Sequence, residues 1–195
     1  MFKIITLGDS GVGKTSIINR YVKNTFNDNN ASTVGVSFVI KQLKINKKQK
    51  FALKLMDTCG QEKYRSLTKS YLKNVDGILF VFSLNDKDSF DNIIEWMNLY
   101  KSNNKKSVPQ ILLGNKCDLK SEIEENLINE FAKNNDIKFI KTSAKNKTNI
   151  NESIDELGKI LYSKYKPSDN KKQDFILSYK EEKHHHRCFL CTNSL

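Results

Sequence analysis

Near its amino end the chain carries Gly8-Asp9-Ser10-Gly11-Val12-Gly13-Lys14-Thr15, two glycines bracketing four residues, then Lys and a hydroxyl residue. The run before it, Phe2 to Leu7, is apolar and β-branched with a single Lys3, and reads as a strand. The run after it, Ser16 to Val22, places Ile17, Ile18, Tyr21 and Val22 at helical spacing. Strand, glycine-rich loop and helix in this order make a phosphate-binding loop. The chemistry demands these residue types. A polyphosphate needs many donors at close range, and Gly11 and Gly13 let the backbone curl and present N–H groups with no Cβ in the way. The helix starting near Lys14 adds the positive end of its dipole. Lys14 reaches the β- and γ-phosphates as a point charge, and the Thr15 hydroxyl suits Mg²⁺.

Everything downstream fits an α/β sheet with helices on both faces. Val36 to Ile45 and Phe51 to Met56 read as two strands joined by the short turn Asn46 to Lys50, hence an antiparallel pair. Gly77 to Phe82 is a continuous apolar run, as in a strand covered on both faces. Ile111 to Leu113 and Ile137 to Ile140 give two more strands, for six in all. Helical patterns occupy Thr68 to Lys73, Ser89 to Tyr100, Glu122 to Lys133 and Asn149 to Tyr165. Pro167 ends the last helix, since it has no N–H to give. The expected division is a nucleotide-binding domain over 1–166 and a flexible basic tail over 167–195.

Composition narrows the function classes. No apolar run approaches the roughly 20 residues of a membrane span, and the first residues already form the strand, so a cytosolic protein is expected. Four cysteines in 195 residues, two of them in motifs and two in the tail, are not a disulfide framework. The net charge is +11, but of the 33 basic residues only Arg20, Arg65 and Arg187 are arginines. Nucleic-acid readers gather Arg and aromatics on one face; here the lysines are scattered among asparagines, so no nucleic acid is expected. Attraction to an anionic membrane is the better use of the charge.

Three further motifs sit at predicted strand ends. Asp57-Thr58-Cys59-Gly60-Gln61-Glu62 follows the Phe51–Met56 strand. Asp57 suits a water-mediated hold on Mg²⁺, the Gly60 N–H a γ-phosphate, and Gln61 an attacking water. Alone, such a tetrad is usually a turn. Asn115-Lys116-Cys117-Asp118 closes the next strand but one. Asp118 can accept from the ring N–H and the exocyclic amine of guanine, a donor pair adenine lacks. The Lys116 stem can lie over the base, and Ser143-Ala144-Lys145 offers backbone N–H groups to the guanine carbonyl. The nucleotide set is thus Ser10, Gly11, Val12, Gly13, Lys14, Thr15, Ser16, Gly60, Asn115, Lys116, Asp118, Ser143, Ala144 and Lys145.

The set Gly8–Thr15, Thr33, Asp57–Gln61, Asn115–Asp118 and Ser143–Lys145 resembles the Ras superfamily of small GTPases over residues 2 to about 166. Thr33 to Phe38 and Leu55 to Thr68 resemble the Rab branch. Arf proteins carry a myristoylated Gly after Met, where this chain has Phe2; Rho proteins insert a helix after the Asn-Lys-x-Asp motif; Ran ends in an acidic tail. The resemblance implies a P-loop NTPase fold with a six-stranded, mostly parallel sheet and one antiparallel edge strand. It also implies that Thr33 is a Mg²⁺ ligand with Thr15 and Asp57, that Phe26 packs on the guanine, and that Gln61 is catalytic. Residues 24–38 and 60–73 become switches that order around GTP and meet exchange factor, activating protein and effectors. A monomer with GTP or GDP and Mg²⁺ is expected.

This sequence departs from the family in places. Met56 stands where Trp is usual, within an aromatic surface that keeps Phe38 and Tyr64 or Tyr71. Asn30 replaces an aromatic that closes over the phosphates. Cys59 replaces Ala beside the chemistry: either the sulfur crowds the turn and slows hydrolysis, or the turn has room and Cys59 behaves like Ala. Cys188-Phe189-Leu190-Cys191 matches Rab prenylation in having two cysteines, but four residues follow. Lipidation of Cys188 and Cys191, with nearby Lys, would anchor the protein peripherally on the cytosolic face of an intracellular membrane; a zinc site with His184 to His186 is the alternative. The reading is a slow GTPase switch in vesicle traffic, dependent on an activating protein. The alternatives are a hydrolysis-impaired GTP-binding scaffold and a P-loop nucleotide kinase, the latter opposed by the lack of lid arginines.

Overall fold

The computed structural model describes residues 1–28, 33, 35–45, 49–60, 70–104 and 106–165. Its framework is one six-stranded sheet: β1 (Phe2–Leu7), β2 (Val36–Lys44), β3 (Lys50–Thr58), β4 (Gly77–Ser83), β5 (Gln110–Asn115) and β6 (Lys138–Lys141). The spatial order is β2-β3-β1-β4-β5-β6. β2 pairs antiparallel with β3 along their whole length, from Val36 opposite Thr58 to Lys44 opposite Lys50. Each of the other pairs is parallel. The helices that lie wholly among the described residues are α1 (Lys14–Lys23), α2 (Lys87–Asp91), α3 (Ile93–Asn103), α4 (Glu125–Asn134) and α5 (Ile150–Lys164).

The continuous apolar strands are explained by a core on each side of the sheet. Alternate residues of β1 and β4 point to opposite faces. Ile5, Leu7, Ile78, Phe80 and Phe82 join Phe90, Ile93, Trp96, Met97 and Ile128, so α2, α3 and α4 cover that face. Ile4, Leu79 and Val81 join Ile17, Ile18, Ile154, Leu157 and Leu161, which puts α1 and α5 on the other. Each fully buried Ile, Leu or Phe side chain contributes roughly 1.5–3 kcal/mol, so the central strands are the stable frame on which the loops hang.

Two helices differ from the sequence reading. Ser89 to Tyr100 is not one helix: Asp86 caps α2, its carboxylate accepting from the Ser89 N–H at 3.2 Å, and the chain restarts at Asn92 into α3. Asn92 directs its amide to Asp9 instead of solvent, which fixes the junction. The helix expected from Glu122 begins at Glu125, because the Ser121 side chain accepts from the Ile123 N–H and holds that stretch in a turn. Of the expected Thr68–Lys73 helix, Ser70 and Tyr71 are helical and Leu72 and Lys73 form a turn, while Thr68 and Lys69, like the tail from 166 onward, lie outside the described residues.

Candidate functional site

The four motifs of the nucleotide set each come off the carboxyl edge of a strand in a parallel pair. β1 runs into Gly8–Gly13, β3 into Asp57–Gly60, β5 into Asn115–Asp118 and β6 into Thr142–Lys145. That is the edge at which open α/β sheets hold ligands. The loops surround a cavity of about 350 Å³. Ser10, Gly11, Gly13, Lys14, Thr15 and Ser16 line it from the first loop; Phe26 and Thr33 follow from the connection to β2. Gly60 closes one end, and Asn115, Lys116, Asp118, Ala144 and Lys145 the other.

The phosphate end is tightly built. Gly13 caps α1 with φ 99°, and a Cβ there would lie 2.3 Å from the Asn115 amide nitrogen. Only glycine fits. Lys14 is 5% exposed, and its ammonium donates to the carbonyls of Gly8 at 2.9 Å and Asp9 at 2.6 Å. Burial pushes its pKa from 10.5 down to about 8, against the pull of Asp57 and Asp9. Gly60 lies so close to this corner that a Cβ would meet the Asp9 carbonyl carbon at 2.3 Å and the Lys14 ammonium at 2.4 Å.

Thr15, Thr33 and Asp57 converge from three segments. The Thr15 hydroxyl donates to Asp57 Oδ2 at 2.7 Å and stands 2.7 Å from the Thr33 hydroxyl. Asp57 Oδ1 is buried with no hydrogen-bond partner among the described residues. Burial raises the Asp57 carboxyl pKa, while the Thr15 hydroxyl and then Lys14 lower it. Two hydroxyls and one carboxylate, of which Oδ1 is unsatisfied, form an all-oxygen donor set. It fits Mg²⁺, which takes few protein ligands and completes its shell with water and phosphate oxygens.

At the base end Asn115 is the joint. Its amide donates to the Val12 carbonyl at 2.8 Å, and its Oδ1 accepts from the Ala144 N–H at 3.2 Å. The Ser143 hydroxyl donates to Asp118 Oδ1 and accepts from the Asn146 N–H at 2.9 Å. Two of the predicted nucleotide-binding residues therefore do not line the cavity with their side chains. Val12 is fully buried in the core and serves through its carbonyl, and Ser143 is fully buried and holds Asp118. Asn27, Asp28 and Leu119 also line the cavity and carried no motif signal, as does Thr58, which lay in a motif but was given no role.

The family departures separate. Met56 is 3% exposed and packs inward, whereas Phe38 at 41% and Tyr71 at 39% face outward. Cys59 is 2% exposed, and its N–H donates to the Gly35 carbonyl at 2.9 Å. It is not among the described non-glycine residues with positive φ. Gln61, Asn30, Tyr64, Cys188 and Cys191 lie outside the described residues.

A family model described as the Ras family matches residues 3–163. The chain belongs to the Ras family. It is 37% identical over 166 residues to the Ras-related protein Rab-13 of Canis lupus familiaris, covering 84% of this chain and 81% of the relative. The Ras-related protein Rab-11B of Dictyostelium discoideum is 40% identical over 162 residues, covering 82% of this chain and 73% of the relative. Rab-1D of the same organism is 41% identical over 153 residues, covering 77% and 74%. This Ras-family chain is a Rab-like small GTPase, a GTP-binding and GTP-hydrolysing switch of vesicle traffic.

Proposed function

We propose that the cavity holds GTP or GDP with the phosphates on Gly8–Thr15 and the base between Phe26, Lys116 and the Asp118 carboxylate. The observation that carries this reading is the Asn115 joint, which ties the phosphate loop through Val12 to the base loop through Ala144. One side chain thereby sets the distance between the two ends of the ligand.

In this reading Thr15, Thr33 and Asp57 hold Mg²⁺, which when bound supplies positive charge to the β- and γ-phosphate oxygens. Lys14 gives up its two carbonyl partners for phosphate oxygens, and its charge balances the one that builds as the γ-phosphoryl leaves. Gly60 lets its N–H approach that group, and Gln61 orients the water. The water oxygen bonds to the γ-phosphorus, the bond to the bridging oxygen breaks, and the water proton leaves with the phosphate. No arginine faces the cavity as an internal finger among the described residues, so the intrinsic rate is slow, on the order of 10⁻⁴ per second. An activating protein supplies charge in trans.

Exposed Phe38 and Tyr71 offer the surface that regulators and effectors read. Cys188 and Cys191 carry lipid and place the protein on the cytosolic face of an intracellular membrane. No helix among the described residues is long and apolar enough to cross one. Phosphate release under multiple turnover tests the activity: GTP is consumed with stoichiometric phosphate and with no phosphorylation of added nucleosides. Labelled nucleoside monophosphate would instead mark a kinase, and binding without turnover, even with an activating protein, a scaffold.

A further inference from the structure

Arg20 is one of three arginines among 33 basic residues. It stands on the last turn of α1, half-buried, and its guanidinium donates to three backbone carbonyls. Nε donates to the Ala144 carbonyl at 2.8 Å, Nη2 to the Lys145 carbonyl at 3.0 Å and Nη1 to the Asn24 carbonyl at 2.9 Å. The Asn24 N–H donates back to the Arg20 carbonyl at 3.1 Å. The guanidinium carbon also lies 5.8 Å from the centre of the Phe26 ring. A lysine cannot do this. Its ammonium is a point donor, whereas three carbonyls on two segments need a planar fork.

The consequence follows from peptide planarity. C=O and N–H of a trans peptide point in opposite directions. Drawing the Ala144 carbonyl onto Arg20 turns the Lys145 N–H away from α1, and Lys145 is a wall of the cavity. The next peptide is held at both ends, by Arg20 on the Lys145 carbonyl and by the Ser143 hydroxyl on the Asn146 N–H. The preceding N–H, of Ala144, is already engaged by Asn115. The Lys145 N–H is therefore the donor of this loop that the fork orients.

We infer that Arg20 is a positioning residue for base selection: it fixes the 144–145 peptide so that its N–H meets the 6-oxo group of guanine, and holds Phe26 at the opening of the same pocket. This rests on the guanine-nucleotide reading and adds a residue that never touches the ligand. Asp118 selects the ring N–H and the 2-amino group; Arg20 acts through the backbone on the 6-oxo group. Losing one oriented donor to a buried carbonyl costs about tenfold in affinity.

The test compares GDP with 2-aminopurine riboside diphosphate, which keeps the 2-amino group and lacks the 6-oxo group and with it the ring N–H. The loss of the ring N–H toward Asp118 is the same in every variant, so a change in the ratio between variants reads the 6-oxo contact. Competition binding is run on the full chain, on Arg20→Ala and on Arg20→Lys, with melting temperatures recorded. The unmodified protein should bind GDP far more tightly than ADP; failure of that control would sink the guanine reading itself, separately from the role of Arg20. In Arg20→Ala the preference for GDP over the 2-aminopurine nucleotide should fall about tenfold, and Arg20→Lys should recover only part of it. Equal weakening of both ligands would mean a merely structural role and overturn the inference, as would an unchanged ratio. Should Arg20→Ala not fold, the same ratio is read from Arg20→Lys.

Discussion

Asp118 and Lys14 stand at opposite ends of the cavity and show how little the site leaves to chance. Asp118 is half-buried, and the Ser143 hydroxyl holds one of its oxygens. Asp118→Asn replaces an acceptor with a donor against the guanine amine, and each charge-assisted bond lost costs roughly 1.5–3 kcal/mol. GTP affinity by competition titration is expected to fall at least a hundredfold; a fall under threefold would remove Asp118 from the base site. Lys14 makes a proton-linked prediction. Its pKa is about 8 in the folded chain against 10.5 for an ordinary lysine. A lowered pKa means that the unfolded chain binds more protons between those values, so this group's contribution to stability rises with pH across that window. Phosphates restore the charged form, so at about pH 9 GDP binding should take up close to one proton and at about pH 7 almost none. Calorimetry in buffers of different ionisation heat reads this directly, and no uptake at the higher pH would contradict it. Cys59 belongs here too. Its sulfur is buried without a positive φ to strain the turn, so Cys59→Ala should leave single-turnover hydrolysis within about threefold; a tenfold faster variant would show that the thiol restrains the chemistry.

At the scale of elements, strands carried the prediction furthest. β1 and β4 are apolar because both sheet faces are covered, so their sequences have one reading. Helix ends were less legible. The break at Asn92 and the late start of α4 at Glu125 depend on single side-chain bonds, from Asn92 to Asp9 and within the Ser121 turn. A periodicity argument does not see such bonds. The same holds for the site. Cavity residues whose type is dictated by fixed chemistry, such as Lys14 or Asp118, are visible as motifs. Thr58 and Leu119 line the cavity only because their neighbours do, and Arg20 acts across 124 residues of sequence on Ala144. Its rarity among the lysines was the one trace it left. The approach of β3 to the phosphate loop yields a prediction at this scale. Gly60→Ala would put a Cβ against the backbone of Asp9, forcing the segment after β3 to back away from Lys14. Single-turnover hydrolysis should drop at least tenfold while GDP affinity stays within about threefold. Equal loss of both would show that Gly60 supports the fold of the pocket and not the γ-phosphate alone.

For the whole molecule, the framework closes on itself by residue 165: α5 packs Leu157 and Leu161 onto the sheet, and Tyr165 sits against Phe2. A chain ending at residue 166 is therefore expected to keep the GDP affinity of the full protein, and Cys188→Ser with Cys191→Ser to release the full protein from membranes with that affinity unchanged. Fractionation of cells checks the second point; continued membrane association would assign attachment to the lysine-rich surface or to a protein receptor. The central claim is that four strand-end loops form one pocket selective for guanine nucleotides. Competition of GTP and ATP for the unmodified, nucleotide-stripped protein in the presence of Mg²⁺ tests it most directly. GTP should bind at least a thousandfold more tightly; equal affinities would contradict the account at its root.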